Sequence, residues 1–418
     1  MSRVAIVGAG VAGSATAIGL ARLGVQVTLF ESLPDPSPQD PRVGAGLLLQ
    51  PSGQRVLEYL GLLEPALEHG ARLDGLLGDT ADGEVVLDMS YHRFHPEAFG
   101  LGLQRGVLMG LLWQRLRERG VDWQSGVTVR AFKQDARGVE LKGEGGASLG
   151  RFDALILADG SFSPLRRLLP VRQRVEPFPW GALWTLLPLP AEFPDIELRQ
   201  RFRAARQMLG LMPVGRAWQS TQGLADVWPA VNLFWSLPLS ELPQDMATLD
   251  LAAWKRPLVE LLPECEPLLK GLKDPRQLRP ARYAHVRLER PHHGCVLALG
   301  DCAHGMSPQL GQGANLALVD ALVLCQQWRE QPRQDWAQRF EHYARRRRAH
   351  WNYYSQASRA LTPLFQSAQP VLPWLRDRLM GPLGRLGWVH GQNVATLAGL
   401  KTGWLFGRLE LGANPWAG

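Results

Sequence analysis

The chain has 418 residues, 45% of them hydrophobic and 20% charged, with a formal net charge of +7. That is enough for two or three domains, or for one large core with an insertion, in the proportions of a globular enzyme. No window of about 18 uncharged apolar residues occurs, which argues against a spanning helix. The opening SRVAIVGAG reads as a core strand rather than a signal peptide, so a cytoplasmic location is expected. Cys265, Cys295, Cys302 and Cys325 show neither CxxC nor metal-ligand spacing, so reduced structural thiols are expected and no metal site. The positive charge invites an anionic partner, and its densest run is Arg345 to Arg348, beside His350 and Trp351. That run continues a polar helix, so a solvated helix face is favoured over nucleic-acid binding.

In chain order, Val4 to Val7 is an apolar strand, followed at once by Gly8-Ala9-Gly10-Val11-Ala12-Gly13. Val11 to Leu23 has helical periodicity, and Val25 to Phe30 is a second strand ending at Glu31. This strand–GxGxxG–helix–strand–acid order is that of a dinucleotide-binding unit. Gly8 makes the tight turn, Gly10 lets a pyrophosphate approach the backbone, and Gly13 permits close helix–strand packing. Glu31 stands where a carboxylate holds ribose hydroxyls. After a Pro- and Asp-rich loop, Arg42 reads equally as a residue beside a ring or phosphate and as a surface arginine. A helix is expected from Ser52 to Leu60 with Ser52 as its cap. Leu73 to Leu103 reads as short strands of a second, sheet-rich domain.

A long helix is expected from Gln104-Arg105 to Arg119. Arg105, at the end where cations are disfavoured, either has an anionic partner or points outward. Strands follow at Val121–Trp123, Val127–Phe132 and Val139–Leu141, and then Phe152 to Asp159 runs into Gly160-Ser161-Phe162-Ser163 with Arg166 behind. Beyond Val171 the composition shifts towards Pro, Trp and Arg. Trp180–Leu187, Gln207–Met212 and Val231–Leu237 read as strands, with Met246–Leu262 as a covering helix. Trp184, Met208, Met212, Trp218, Trp228, Phe234 and Trp235 are candidates to wall an aromatic pocket, of which Trp184, Met208, Trp218 and Phe234 are taken as substrate residues. Each competes with an ordinary place in the core, and 15 tryptophans against six tyrosines suit either use.

The third site is VLALGDCAHGMSPQLGQGANLALVDA, Val296 to Ala321. A strand delivers Asp301 to a loop that breaks at Pro308 and passes Gly311-Gln312-Gly313 before a helix starts near Asn315. An acceptor carboxylate beside glycines at a helix start suits a polyhydroxylated, anionic ligand. Helices then run to Gln327 and from Trp336 to about Ala360. The region from Thr362 is apolar, with scattered Trp and Arg. It reads as an amphipathic membrane-contacting segment, or as helices packed on the rest of the chain or on a second subunit.

Taken in order, GAGVAG, ADGSFSPLRR and GDCAHGMSPQLGQGAN resemble the flavin monooxygenases of the p-hydroxybenzoate hydroxylase type, the group A aromatic hydroxylases. The resemblance covers residues 1–60, 100–170 and 290–330. It implies an α/β fold: a Rossmann-like FAD-binding domain with an inserted, β-sheet-rich α+β substrate domain and a C-terminal helical region. The FAD-binding parts are expected at 1–72, 104–170 and 291–330, the substrate parts at 73–103 and 171–290, and the helical region at 331–418. It further implies that FAD, bound non-covalently, is held by Gly8, Gly10, Ala12, Gly13, Glu31, Arg42, Arg105, Asp159, Gly160, Asp301, Pro308, Gly311, Gln312, Gly313 and Asn315. Arg42, Pro308 and His304 would lie nearest the chemistry, with a structural hydrogen bond as the competing role of His304.

The activity implied is hydroxylation of a small aromatic or heteroaromatic compound, with NADH or NADPH and O₂ as co-substrates and oxygen transfer from flavin C4a. With one glycine fingerprint, the pyridine nucleotide is expected to bind transiently. No nucleic-acid partner is expected, and the chain is expected to be a monomer or homodimer. Cys302 stands where that family usually has alanine, Ala158 where a glycine is common, and His292-His293 where many have tryptophan. A halogenase lacks support because WxWxIP is absent. The competing readings are an FAD-dependent reductase of an isoprenoid or quinone-like lipid and a non-catalytic flavin sensor.

Overall fold

The computed structural model describes residues 2–40, 43–191, 193, 196–216 and 229–416. At its centre lies the strand Arg3–Val7, in which Val4 and Ile6 point to one face and Ala5 and Val7 to the other, all four buried. A strand that is apolar on both faces needs cover on both, as in a parallel sheet. It pairs in parallel with Gln26–Glu31 on one side and Ala154–Leu157 on the other. Asp122–Ser125 extends the first side and Val296–Ala298 the second, and antiparallel His292–His293 forms the edge.

The Val4 and Ile6 face packs on the helices Val11–Arg22, Arg105–Glu118 and Gly313–Glu330, through Ile18, Leu112 and Leu322 among others. The Ala5 and Val7 face packs on an antiparallel meander, Ala131–Asp135, Gly138–Lys142 and Ser148–Phe152. The expected strand Val127–Phe132 thus begins four residues late. The chain first turns at Gly126, and its pairing with Gly138–Lys142 starts only at Ala131. Ser52 is not a cap either. Pro51 is already the first helical residue of Pro51–Leu60, and Gln50 precedes it without a side-chain cap.

A second sheet has seven strands, in the order Arg279–Leu288, Gln173–Pro188, Ala230–Pro238, Gln207–Gly215, Glu197–Arg203, Gly75–Thr80, Val85–Ser90. Its Leu183, Leu209, Leu233 and Trp235 face is covered by the helix Leu251–Leu261 through Trp254, Leu258 and Leu261. The expected helix Met246–Leu262 is broken in two. The Asp245 carboxylate accepts from Ala247 N and that of Asp250 from Ala252 and Ala253 N, so each starts its own turn. Ala71–Leu73 and Gly100–Gln104 do not join this sheet. Gly100–Gln104 pairs with Gly46–Leu49 on one side and Ala71–Leu73 on the other, in a three-stranded sheet between the two larger ones.

The C-terminal part is helical: Trp336–Phe365, Val371–Gly384 and Gly387–Leu397. Buried Arg339 lies 4.3 Å over the Trp328 ring and donates to the carbonyls of Gln327, Gln331 and Gln334, closing the end of Gly313–Glu330. The arginine run is not uniformly solvated. Arg345 and Arg348 are exposed, but Arg347 is fully buried and paired with Asp320, because one helix side faces the core. No helix among the described residues is long and apolar enough to cross a membrane.

Candidate active site

Three strand ends of the parallel sheet bring the three sequence motifs together. Gly8 has φ +103°, and a Cβ there would lie 2.5 Å from the Ala158 carbonyl oxygen of the neighbouring strand. A Cβ at Gly13 would collide with the Gly8 carbonyl, whereas one at Gly10 would meet nothing within 4 Å. Two of the glycines are therefore dictated by the chain itself and the third faces open space. The helix Val11–Arg22 starts at Gly10 with neither a capping side chain nor an acid in its first turn. Its positive end is left for an anion. Glu31 closes the loop from below, accepting from Ala9 N at 2.9 Å and from Leu33 N at 2.9 Å.

The second motif follows the strand Ala154–Leu157. Asp159 accepts from the Ser163 hydroxyl at 2.6 Å, and Arg166 N donates to that same hydroxyl at 3.0 Å. The Arg166 guanidinium is buried and donates to Ser161 O at 2.9 Å and to Cys302 O at 3.0 Å, tying the second motif to the third. Burial raises the Asp159 carboxyl above its ordinary range, against the pull of the Ser163 and Cys302 hydrogen bonds. Burial likewise pushes the Cys302 thiol up, with the Asp159 charge adding to it, so this cysteine is inert.

In the third motif a Cβ at Gly300 would lie 2.7 Å from the Ala12 methyl, and one at Gly313 would lie 3.8 Å from Asp301 Oδ1. Asp301 is thus an exposed carboxylate set between two helix starts, since Gly313–Glu330 also begins without a capping side chain or acid. Exposed Pro308 opens a half-buried turn, Pro308–Leu310, pinned from behind by Ser307, whose hydroxyl lies 2.6 Å from that of Ser358. Gln312 donates to Leu397 O at 2.7 Å. Asn315 accepts from Gln50 N at 2.8 Å and donates to Leu48 O and Gly311 O, so it organises the loop. Arg105 is exposed, its side chain lying against Gly44. Arg42 and Trp218 lie outside the described residues.

His304 is turned into the protein. Its Nε2 is 2.6 Å from Asp320 and its ring stacks on Trp351. Asp320, fully buried, also accepts from Gly300 N, Arg347 Nε at 2.8 Å and Trp351 Nε1 at 3.0 Å. Burial alone would raise its pKa, but the charges of His304 and Arg347 override this and hold the carboxylate well below its ordinary range. This cluster, which sets the Gly300 turn ahead of Asp301, escaped the sequence reading. Its signal was present, because Asp320 is the lone acid in the apolar run Leu316 to Cys325.

On the seven-stranded sheet, Trp184 pairs with Phe234 across adjacent strands, and both are half-buried. Phe234 lies over Gly210, where a Cβ would collide with its ring. The same strand is fixed at two points on this face. Asn232 accepts from Gly46 N at 3.1 Å, and Ser236 accepts from Gln366 Nε2 at 2.7 Å. The aromatic pair therefore lies on the face that carries the two anchors, with Phe234 between them. Met208 is instead buried with Val86, Phe202 and Phe365, under the end of the helix Trp336–Phe365. Trp235, one residue on from Phe234, points to the opposite face.

The residues present fit FAD. The loop at Gly10 is open, two uncapped helix starts face it, and Asp301 and Glu31 offer carboxylate acceptors. In addition, Asp159 Oδ1, Gln309 Nε2 and Gln312 Oε1 are buried without a hydrogen-bond partner, all within the second and third motifs.

Residues 1–358 match the family described as FAD binding domain. The chain is 28% identical over 338 residues to kynurenine 3-monooxygenase of Salinispora tropica, covering 77% of this chain and 71% of that one. It is 30% identical over 351 residues to 6-methylpretetramide 4-monooxygenase of Streptomyces rimosus, covering 81% and 78%. Its fold is shared with Klebsiella pneumoniae HpxO, solved in complex with FAD and uric acid, at a TM-score of 0.78 and 20% identity over 94% of this chain and 97% of the other.

Proposed function

The chain belongs to the FAD-binding family that it matches and is an FAD-dependent monooxygenase that hydroxylates aromatic compounds; we propose how its residues divide that work. The observation that carries the proposal is the meeting of three distant motifs around one open glycine loop. Gly10 and the first turn of Val11–Arg22 receive the pyrophosphate, Glu31 the adenosine ribose, and Asp301 the ribityl hydroxyls. Arg105 supplies a positive charge to a phosphate, and Asp159 and Gly160 line the same groove. The Pro308–Leu310 turn bounds the face where oxygen is transferred. His304 holds that loop through Asp320 and is a positioning residue.

Bound FAD supplies the redox chemistry, taking electrons from NADH or NADPH and activating O₂. The protein's share is to orient the ring to be hydroxylated and to keep water away from it. Trp184 and Phe234 form the apolar floor for that ring. With no second glycine fingerprint, the pyridine nucleotide docks transiently. A monomeric or homodimeric state and peripheral membrane contact by the C-terminal region belong to this reading.

The test is a visible spectrum of the purified protein, then NAD(P)H oxidation and product mass over a panel of phenols, quinolones and polyketide-like aromatics. Flavin bands and a product heavier by one oxygen support the proposal. Oxidation without oxygen incorporation by any ligand would move the chain to a reductase role, and a colourless protein that takes up no FAD would end the assignment. Asp301→Ala is expected to weaken FAD binding at least about tenfold by fluorescence titration, because an ionised acceptor is lost.

A further inference from the structure

Of the 14 large hydrophobic side chains exposed among the described residues, half lie between Val371 and Trp388. The helix Val371–Gly384 carries most of them. Six of its seven exposed residues are apolar: Val371, Trp374, Leu375, Leu379, Pro382 and Leu383. At 100° per residue all seven fall on about half of the helix surface. The seventh is Arg378, whose guanidinium lies 5.0 Å over the Trp374 ring. Leu386 and Trp388 continue the patch, with exposed Arg385 beside them.

This face is held outward by a rigid inner face. Arg376 is buried, donates to Leu364 O at 3.0 Å, and lies 4.9 Å over Phe202 and 5.1 Å over Phe365. Gly381 backs onto the edge strand Val85–Ser90, where a Cβ would collide with Val85 O. Asp377 is the only acid between Val371 and Leu409, and it is bound to Arg376 Nε at 2.7 Å. The ionised groups that the patch offers outward are therefore arginines.

We propose that this helix face docks on an anionic lipid bilayer, lying in the plane of the surface. An apolar stripe with tryptophans and arginines at its margins is the composition of an interfacial helix, and a negative headgroup layer complements Arg378 and Arg385. The helix has 14 residues, about 21 Å, too short to span a hydrocarbon core of about 30 Å. A second copy is the poorer occupant, since a two-fold contact across this face joins two arginine-bearing patches with no free acid on either to offset them. The proposal gives a place to the membrane contact in the functional reading above and is independent of the chemistry.

The test sediments the full-length FAD-loaded protein with phosphatidylcholine vesicles, and with vesicles containing one quarter phosphatidylglycerol, at low and high salt. The expected result is capture by the anionic vesicles, weakened at high salt. The double variant Leu375→Glu/Leu379→Glu is expected to reduce partitioning at least about tenfold, and Arg378→Gln/Arg385→Gln to reduce it about fivefold per arginine on anionic vesicles only. Both should keep the flavin content and the NAD(P)H oxidation of the wild type with a water-soluble aromatic. Wild type that stays in solution with both vesicles, or a double-glutamate variant that sediments as well as wild type, would overturn the proposal. So would light scattering that showed a dimer abolished by Leu375→Glu/Leu379→Glu, since the face would then belong to a second copy. Vesicle capture by a protein that oxidises no NAD(P)H with any ligand would leave the docking face standing and sink the enzymatic reading instead.

Discussion

The parallel sheet and the seven-stranded sheet offer different groups to the ligands proposed for them. On the parallel sheet the proposed binding groups are largely backbone, held where a side chain at Gly8 or Gly13 would strike a neighbouring carbonyl. On the seven-stranded sheet the proposed groups are side chains, Trp184 and Phe234, standing on a face fixed at Asn232 and Ser236. Backbone contacts tolerate no added atom, while an aromatic floor can be re-cut without moving the strands beneath it. A common cofactor and variable substrates call for that division.

The sharpest way to break the comparison is a pair of glycine substitutions. Gly13→Val drives a side chain into the Gly8 carbonyl and is expected to lower FAD retention more than 100-fold, read from the flavin absorbance of purified protein. Gly210→Ala strikes first the end of the Phe234 ring, a side chain rather than backbone, and is expected to keep full flavin while changing KM for the aromatic substrate. Equal flavin loss in both would erase the distinction. Comparable in size is Asp320→Asn, which leaves the buried Arg347 guanidinium without its counter-charge. A stability loss of about 3–5 kcal/mol is expected from denaturant unfolding.

A smaller effect separates the two regions by pH. On the substrate sheet, burial and then the Arg359 charge push His285 down to about 4. Between the ordinary value of about 6.5 and that value, the unfolded chain binds a proton that the folded chain refuses. Stability therefore falls as pH falls through this window, by roughly 2 kcal/mol between pH 7.5 and 5 from this residue. Melting curves of wild type and His285→Gln over that range check it, and an unchanged difference between the two proteins would reject it. Smallest is Phe234→Ala, expected to raise KM about tenfold, about 1.4 kcal/mol, with flavin content intact.

The parallel sheet was legible because four of its six strands run into residues of a telling type: Gly8, required by the chain's own packing, and the acids Glu31, Asp159 and Asp301. The lone buried acid was not. Asp320 stands out as the lone acid of an apolar run, but its partner Arg347, 27 positions later, is set against it only by the fold. The substrate face was legible only in part. Alternation along Ala230–Pro238 predicts that Phe234 and Trp235 point oppositely, but which side carries the Asn232 to Gly46 bond and which the covering helix is set by contacts far along the chain, the first between residues 186 apart. Helix ends were misread where local capping decided them, as at Asp250 and Pro51.

The strand order of the parallel sheet also sets a timetable. Arg3–Val7 finds one partner, Gln26–Glu31, within its first residues, but its other neighbour is Ala154–Leu157, and Val296–Ala298 completes that side. On the ribosome the glycine loop therefore emerges long before Asp301 and the helix that backs it. Nascent chains arrested before about residue 300 should hold no flavin, however complete their first βαβ unit. FAD capture would then be among the last events of synthesis, and flavin starvation would leave behind full-length chains rather than stalled ones.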